Sequence, residues 1–404
     1  MSDFFQNGTV TTFHNLTDRK VDDLEADLVK FSEVNRLGLI LPSLFSELEA
    51  PALKNIVSEL AKVPYLSQIV IGLDRADKAQ FEFAREYFSE LGQNHRILWN
   101  DGPRLQKVME QLRQKELAPT EPGKGTNVWG CYGYVLAAKQ MDVVALHDCD
   151  IVTYQRDLLA KLLYPVAHPT FNFAFSKGYY ARYAEGKLNG RVARLLVTPL
   201  LRALKSVVGE DELLQYLDSF RYPLAGEFAI NTQALKDMRI PADWGLEIGV
   251  LAEMRRNFSN RRICQVDIAD VYDHKHQDLS LEDQTKGLSR MSQDIAKSLF
   301  RKLATRGHVF SRGTMRSIKA VYLRTALDQL ESYAFDAEMN GLSMDLHAEE
   351  QAIELFAQNV VAAGEVFLEN SEERPFLPNW NRVSSACPDI MEQLYEAVEL
   401  DNQE

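Results

Sequence analysis

Residues 141–150 read Met141-Asp142-Val143-Val144-Ala145-Leu146-His147-Asp148-Cys149-Asp150, a mostly apolar run that ends in two carboxylates. Four successive apolar residues without alternation predict a short strand buried on both faces, as in a parallel sheet. The carboxylates follow where that strand opens into a loop. Ligands of open α/β sheets bind beyond the carboxyl ends of the strands, so this segment predicts both a fold class and a site.

The chain before this segment alternates strand and helix patterns. Apolar runs predict strands at 37–42, 68–72 and 96–99, and amphipathic spacing predicts helices at 21–31, 51–63, 79–91 and 127–140. A loop rich in proline and glycine lies between them at 119–125. This alternation predicts an α/β fold with a mostly parallel central sheet flanked by helices.

The pattern changes after residue 150. We predict strands at 171–175, 228–231 and 263–268, a polar loop at 182–190 and a helix at 192–204. From about residue 288 to residue 404 the chain is predicted to be mostly helical, which gives the α/β fold a helical C-terminal extension.

The composition of the 404 residues is that of a globular protein, with 46% hydrophobic and 25% charged residues. The length is enough for about two or three domains. The 45 Lys and Arg against 58 Asp and Glu give a net charge of −13, so no basic surplus displaces the counterions of a nucleic acid. We therefore expect no nucleic-acid partner.

The cysteine and apolar patterns predict a cytoplasmic protein. The four cysteines (Cys131, Cys149, Cys264, Cys387) form no CxxC pair, which fits a reducing compartment. The first residues lack the pattern of a secretory signal, and no apolar run reaches the ~18–20 residues that span a bilayer. We expect no membrane partner.

Asp148 and Asp150 are candidate ligands of a divalent cation, because hard oxygen ligands suit Mg²⁺ or Mn²⁺ bridged to substrate phosphates. The segment Gly123-Lys124-Gly125 lies upstream, where glycine permits close approach of the backbone and lysine neutralises a diphosphate. It is not a Walker A loop. The alternative interpretations are a solvated Asp-x-Asp turn and a plain surface turn.

Three further features carry charge or metal-ligating groups. His274 follows the last predicted strand and could complete a metal site, or it is simply exposed. Glu227 and Glu247 stand among glycines and apolar residues, where a functional carboxylate competes with a helix cap or a structural ion pair. A basic cluster suits an anionic acceptor or, equally, a helix face paired with acids; its members are Arg182, Lys187, Arg191 and Arg194.

In chain order these segments resemble the GT-A glycosyltransferases, and more closely the retaining glucosyl-3-phosphoglycerate and mannosyl-3-phosphoglycerate synthases. The resemblance covers about residues 35–300. The matching landmarks are Leu41-Pro42-Ser43-Leu44, Gly123-Lys124-Gly125 with Trp129, Asp148-Cys149-Asp150, Gly190-Arg191-Val192, Pro199-Leu200-Leu201, Gly226-Glu227, Gly245-Leu246-Glu247-Ile248-Gly249, and His274 with Lys275.

The resemblance implies a metal-dependent hexosyltransferase that uses Mg²⁺ or Mn²⁺. Its donor would be an NDP-sugar, with NDP-glucose favoured and GDP-mannose an alternative. Its acceptor would be D-3-phosphoglycerate, giving glucosyl-3-phosphoglycerate for the synthesis of the compatible solute glucosylglycerate. Family members commonly pair, so a homodimer is expected.

The resemblance also assigns site residues. It places the metal on Asp150 and His274, and the catalytic groups at Asp150, Glu227 and Arg191. Acceptor binding would fall to Gly190, Arg191, Val192 and Lys275. Donor binding would fall to Pro42, Ser43, Leu44, Glu47, Asp74, Lys124, Asp148, Cys149 and Glu247.

The chain departs from the family pattern at three places. Phe45, Ser46 and Glu47 stand where the family usually has Asn-Glu-Glu, so the preference for the donor base is open. A strand-end acid of the family falls at Gly72, with Asp74 or Asp77 as substitutes. Ala193 replaces a typical threonine, which removes one expected acceptor contact.

We expect four segments. They are an N-terminal helical extension (1–33), a nucleotide-sugar-binding half (34–155), an acceptor-binding half (156–290) and a helical C-terminal region (291–404).

Retention of the anomeric configuration favours front-face displacement, with a double displacement through Glu227 as the alternative. Competing functions are a sugar-phosphate nucleotidyltransferase, a GT-A transferase with a different small acceptor such as glycerate, and an inert binding protein.

Overall fold

The computed structural model describes residues 8–17, 19–274, 287–370 and 376–403. At its centre is an eight-stranded sheet. The strands are β1 (Thr11–Phe13), β2 (Leu37–Leu44), β3 (Leu66–Asp74), β4 (His95–Trp99), β5 (Val143–Leu146), β6 (Phe175–Tyr180), β9 (Phe228–Asn231) and β10 (Ile263–Ala269). Their order in the sheet is β1-β10-β6-β9-β5-β2-β3-β4. A separate two-stranded hairpin pairs β7 (Tyr183–Ala184) with β8 (Lys187–Leu188).

Helices cover both faces of the sheet. Up to β10 they are α1 (Val21–Ser32), α2 (Pro51–Leu60), α3 (Lys78–Ser89), α4 (Pro103–Arg113), α5 (Lys124–Ala138), α6 (Arg156–Ala167), α7 (Thr198–Val208), α8 (Glu212–Asp218), α9 (Thr232–Leu235) and α10 (Leu246–Asn257). After β10 they are α11 (Gly287–Ala304), α12 (Arg312–Met339), α13 (Leu346–Glu369), α14 (Trp380–Ala386) and α15 (Ile390–Gln403). Short 3₁₀ turns lie at Phe45–Glu49 and Asn260–Arg262, and a π-helix at Val192–Val197 leads into α7.

The sheet separates two apolar cores, because alternate residues of a strand point to opposite faces. On β2, Leu39 and Leu41 pack into one core and Ile40 into the other. All three are fully buried, which explains why this strand is a continuous apolar run rather than an alternating one.

One strand runs against the others. β9 is antiparallel to both of its neighbours, β5 and β6, whereas the remaining pairs of the large sheet are parallel. The amino end of β9 therefore lies at the same edge as the carboxyl ends of the parallel strands. This reversal brings Gly226 and Glu227, which precede β9, next to the carboxylates that follow β5.

The two ends of the chain complete the sheet and its cover. β1 adds a parallel edge strand beside β10. At the opposite edge, the Asn402 side chain accepts a hydrogen bond from the Ile97 N–H and donates one to the Ile97 carbonyl, both at 2.9 Å. Within the described residues, no helix is both long enough and apolar enough to cross a membrane.

The predicted fold class and most predicted elements are confirmed, with three errors. The segment predicted as a polar loop at 182–190 contains the hairpin of β7 and β8. The strand predicted at 171–175 is wrong, because β6 begins only at Phe175. Lys124 and Gly125 are not loop residues, since α5 begins at Lys124. The sequence analysis did not predict β1, which lies in the supposed N-terminal helical extension, nor the helices α4, α6, α8, α9 and α10. Helix α6 carries an internal proline, Pro165, which masks its helical pattern.

Candidate functional site

Lys124 joins two carboxylates at the edge where β5 ends. Its Nζ lies 2.7 Å from Asp148 Oδ1 and 3.0 Å from Glu247 Oε1. Lys124 opens α5, Asp148 follows β5, and Glu247 lies in the first turn of α10. Three elements far apart in sequence are thus tied together by one ammonium group.

Burial and the neighbouring charges act in opposite directions on the pKa values of this cluster. Burial alone would lower the pKa of Lys124, but the Asp148 and Glu247 carboxylates outweigh it and raise that pKa. Burial raises the pKa of Asp148, with Lys124 opposing the rise and Glu227 and Asp150 adding to it. The lysine is therefore held as a cation, and it is the group that stabilises Asp148 in its charged form.

Gly226 makes room for Asp148. A Cβ atom at position 226 would lie 2.3 Å from Asp148 Oδ2 and 2.6 Å from its Cγ. Real Cβ atoms do not approach that closely, so any side chain here would displace the carboxylate. The glycine is required by close approach and not by a left-handed backbone.

Asp150 and His274 face each other. The His274 Nδ1 lies 3.5 Å from Asp150 Oδ2, and the two segments are joined by an antiparallel bridge between Ile151 and His274. Burial raises the pKa of Asp150, but the hydrogen bond and charge of His274 more than offset this and leave the pKa lowered. The other oxygen, Asp150 Oδ1, is buried and has no hydrogen-bond partner within the described residues.

That pair provides one oxygen and one nitrogen ligand for a divalent cation. An unpaired buried carboxylate oxygen is costly unless something else binds it. Among the residues with described positions, no group of three or more His, Cys, Asp and Glu side chains is arranged to hold a metal. A cation here would complete its coordination from substrate and water.

Glu227 is fully buried under two aromatic rings. Its Oε2 accepts a hydrogen bond from the Tyr180 hydroxyl at 2.7 Å, and its Oε1 accepts one from the Tyr272 hydroxyl at 2.8 Å. The rings of Tyr180 and Tyr272 stack with centroids 3.6 Å apart. Both carboxylate oxygens are thus engaged, and the side chain does not reach solvent.

Lys177 is a second buried cation near these carboxylates. It is 1% exposed, donates a hydrogen bond to the Ala225 carbonyl and lies over the Phe228 ring. Burial lowers the pKa of Lys177 to about 8, against the raising effect of Glu247 and Glu227. Through Ala225 it fixes the turn that carries Gly226 and Glu227.

The basic cluster is tied to the C-terminal helices. Arg191 Nε donates to Glu349 Oε1 at 2.6 Å, and Arg194 Nη2 donates to Glu349 Oε2 at 2.9 Å. Glu349 lies in the first turn of α13 and is 4% exposed. Next to Arg191, Gly190 has φ +77°, a backbone conformation that favours glycine.

Comparison with known proteins gives full-length relatives. The glucosyl-3-phosphoglycerate synthase of Persephonella marina is 45% identical over 402 residues, which is 100% of this chain and 99% of the relative. That of Methanococcoides burtonii is 39% identical over 406 residues, covering 100% of this chain and 98% of the relative. The chain belongs to the glucosyl-3-phosphoglycerate synthase family.

Solved structures of a family member share the fold. The Mycobacterium tuberculosis glucosyl-3-phosphoglycerate synthase, crystallised with Mn²⁺, UDP-glucose and phosphoglyceric acid, matches with a TM-score of 0.54 at 20% identity. The match covers 73% of this chain and 88% of the other. The phosphoglyceric acid complex of the same enzyme gives a TM-score of 0.53. The mostly parallel sheet flanked by helices is thus the GT-A fold of this family, although no family model matches the chain.

The structure groups most of the donor residues that the resemblance to glucosyl-3-phosphoglycerate synthases assigned. Pro42, Ser43 and Leu44 end β2, and Glu47 is buried in the 3₁₀ turn after it. Cys149 is buried between Asp148 and Asp150, and burial raises the pKa of its thiol. These residues all lie at the carboxyl edge of the sheet.

The two substitutes for the strand-end acid of the synthase family, Asp74 and Asp77, have different partners. Asp74 ends β3 and accepts a 2.6 Å hydrogen bond from Asn100 Nδ2. Burial raises the pKa of Asp74 to about 6, with Asn127 and Asn100 opposing the rise. Asp77 instead caps α3, accepting a hydrogen bond from the Gln80 N–H.

Sequence reasoning left some residues unplaced and missed others. Lys275 lies outside the described residues, so its assignment to the acceptor stays a prediction. Tyr180, Tyr272 and Lys177 were not singled out, since buried tyrosines and a lysine within a strand resemble core residues. No local pattern links Glu349 to Arg191, since it lies 158 residues beyond that arginine.

Proposed function

We propose that this chain transfers glucose from an NDP-glucose donor to D-3-phosphoglycerate with retention at the anomeric carbon, giving glucosyl-3-phosphoglycerate. The observation that carries the proposal is the 45% identity over the whole chain to a protein named glucosyl-3-phosphoglycerate synthase. The relatives' names favour glucose over mannose. The ligands of the M. tuberculosis enzyme, UDP-glucose and phosphoglyceric acid, support the same donor and acceptor classes here.

The enzyme is dependent on Mg²⁺ or Mn²⁺, the ions that accompany UDP in structures of the M. tuberculosis enzyme. Asp150 and His274 would hold the ion, which fits the unpaired Asp150 Oδ1 and the facing imidazole. When bound, the ion supplies Lewis-acid stabilisation of the negative charge on the departing diphosphate.

Lys124 positions the donor side. Its ammonium has three donors, and the Asp148 and Glu247 carboxylates take two of them. Within the described residues nothing takes the third, which would meet a donor phosphate or sugar oxygen. Because the pair of carboxylates is already aligned by Lys124, Asp148 and Glu247 can bind hydroxyls of the donor without reorganisation.

Front-face displacement is the favoured route to retention. A double displacement needs a carboxylate that is free to attack the anomeric carbon, whereas Glu227 is fully buried and its two oxygens accept tyrosine hydroxyls. The acceptor hydroxyl would instead lose its proton to the leaving phosphate oxygen. The role of Glu227 is then to hold Tyr180 and Tyr272 in place through their hydroxyls.

The acceptor side is assigned to Gly190, Arg191 and Val192, which lie beside the hairpin of β7 and β8. Arg191 enters the site already bound to Glu349. Four segments divided near residues 33, 155 and 290, a homodimer and a cytoplasmic location remain part of the proposal. The mass of the protein in solution tests the homodimer.

A matrix of substrates tests the reaction. The intact protein is incubated with Mn²⁺, each of UDP-glucose, ADP-glucose, GDP-glucose and GDP-mannose, and either 3-phosphoglycerate or glycerate. We expect an α-linked glucosyl product with 3-phosphoglycerate, read by NMR. Formation of an NDP-sugar from a sugar phosphate and a nucleoside triphosphate would identify a nucleotidyltransferase instead, and a preference for glycerate would replace the acceptor.

The Asp150→Ala variant tests the metal site. Calorimetry should show that Mn²⁺ binding in the presence of UDP falls by about a hundredfold or more, and turnover should fall with it. Asp328→Ala, at an exposed ion pair of α12, is the matched loss of a carboxylate and should bind Mn²⁺ normally. Normal Mn²⁺ affinity in Asp150→Ala would remove the metal assignment.

A further inference from the structure

The three arginines of the basic cluster differ in how their charge is used. Arg191 and Arg194 share the buried carboxylate of Glu349. Arg194 is further occupied by the Asn189 and Leu188 carbonyls. Arg182 has no carboxylate partner within the described ranges, and its buried Nε has no hydrogen-bond partner there. Among the residues with described positions, its guanidinium donates only to a neutral group, the Tyr222 hydroxyl, at 3.4 Å.

Arg182 lies against the segment proposed to bind the acceptor, residues 190–192, which is called the acceptor segment below. A Cβ on Gly190 would lie 3.6 Å from Arg182 Cβ, Arg182 Cδ and the Tyr222 hydroxyl. The Asn189 N–H donates to the Arg182 carbonyl at 2.8 Å, which closes the hairpin loop on itself. The Arg182 side chain therefore lies directly beside Gly190, the first residue of the acceptor segment.

The same arginine is also next to the rings that cover Glu227. The Tyr222 ring packs on Tyr180 with centroids 5.0 Å apart, and Tyr180 donates to Glu227. Arg182 is thus placed between the acceptor segment on one side and Tyr180 with Glu227 on the other. A substrate that bridges these two regions would bring an anionic group to it.

We infer that Arg182 binds an oxyanion of the acceptor and is a further specificity-determining residue of the reaction, an inference that rests on the proposed function. An unpaired guanidinium in a partly buried site is costly, and a carboxylate or phosphate would satisfy it with bidentate hydrogen bonds. 3-Phosphoglycerate carries one of each. Arg191 has its Nε bound to Glu349 and shares that one carboxylate with Arg194, whereas Arg182 has no carboxylate partner within the described residues.

The test compares Arg182→Gln and Arg182→Lys with wild type in steady-state kinetics. We expect the KM for 3-phosphoglycerate to rise by about ten- to a hundredfold in Arg182→Gln, because a charge-assisted pair is lost. The KM for UDP-glucose should change by less than about twofold. Arg182→Lys should be intermediate, since lysine keeps the charge but not the bidentate geometry.

Calorimetry with the UDP-loaded protein identifies the anionic group. Glycerol 3-phosphate lacks the carboxylate and glycerate lacks the phosphate. If Arg182 binds the phosphate, Arg182→Gln weakens the binding of glycerol 3-phosphate and leaves the binding of glycerate unchanged. If Arg182 binds the carboxylate, the substitution weakens the binding of glycerate and leaves that of glycerol 3-phosphate unchanged. Either result supports the inference.

A change of less than about twofold in the KM for 3-phosphoglycerate in Arg182→Gln would overturn it. Arg324→Gln is the matched control, because Arg324 is exposed on α12 and pairs only with Asp328 in the described part of the chain. A wild-type protein that forms no product from 3-phosphoglycerate would instead refute the proposed function. The two failures are therefore distinguishable.

Discussion

The proposed donor side and the proposed acceptor side of this site are built in different ways. On the donor side, the Lys124 ammonium bridges the Asp148 and Glu247 carboxylates, and all three come from elements of the α/β core. On the acceptor side, Arg191 and Arg194 share the carboxylate of Glu349, which comes from a helix beyond residue 305. The hairpin tip is held from the same region, where the Ser343 N–H donates to the Gly186 carbonyl at 2.7 Å. The core thus builds the donor side, while the C-terminal helices anchor the acceptor side.

Lys124→Met should have the largest effect. It leaves the Asp148 and Glu247 carboxylates facing each other without their cation. Removal of one partner from a buried ion pair costs about 3–5 kcal/mol, and this partly exposed cluster should show the low end of that range. We expect a loss of about 3 kcal/mol in the free energy of unfolding by urea and a hundredfold or greater fall in turnover, as for loss of a preorganised electrostatic group.

Lys62→Met is the matched control for that loss. The exposed Lys62 pairs at the surface with Glu59 at 2.5 Å, and such surface pairs contribute about 0–1 kcal/mol. If Lys124→Met were no less stable than Lys62→Met, the cluster would not hold the donor side together.

The local parts of this arrangement were predictable from sequence, and the tertiary parts were not. Asp148, Asp150 and Glu227 stand directly at strand ends, so apolar runs located them. The ion pair between Arg191 and Glu349 spans 158 residues, and no local pattern encodes such a distance. The antiparallel direction of β9, which brings Glu227 to the site, is likewise a property of the sheet and not of its four residues.

Glu349→Ala tests the anchor of the acceptor side. It leaves the buried Arg194 and its neighbour Arg191 unpaired, which should lower the free energy of unfolding by about 2 kcal/mol. The KM for 3-phosphoglycerate should rise severalfold while the KM for UDP-glucose stays the same. Glu354→Ala, on the same helix and exposed, should change neither constant. An equal rise in both KM values would contradict the division between the two sides.

Asp74→Asn tests whether the buried charge of Asp74, on the proposed donor side, lowers the stability of the folded chain. Because burial raises the pKa of Asp74 to about 6, the folded chain keeps a proton that the unfolded chain releases above its own value of 3.8. Stability therefore falls as the pH rises from about 4 to 6 and stays reduced above it. Asp74→Asn removes this penalty and should gain about 1–2 kcal/mol at pH 8.

The pH dependence of the Asp74→Asn gain is its own control. At pH 4 the gain should nearly vanish, because the wild-type Asp74 is then protonated in the folded chain. Urea unfolding of both proteins at the two pH values measures it. A gain of equal size at pH 4 would assign the effect to packing and not to charge. We expect the KM for the donor to rise, since Asp74 lies on the donor side.

Asn402→Ala should have the smallest effect and separates anchoring of the site from anchoring of the sheet. Asn402 belongs to the C-terminal helices but bonds the Ile97 backbone at the far edge of the sheet. Its loss should cost about 1 kcal/mol and leave both KM values unchanged, whereas the exposed neighbour Gln403→Ala should cost nothing measurable. A change in the KM for 3-phosphoglycerate would mean that the C-terminal region acts on the acceptor side through its general packing. An unchanged KM would confine that influence to the contacts of Glu349 and Ser343.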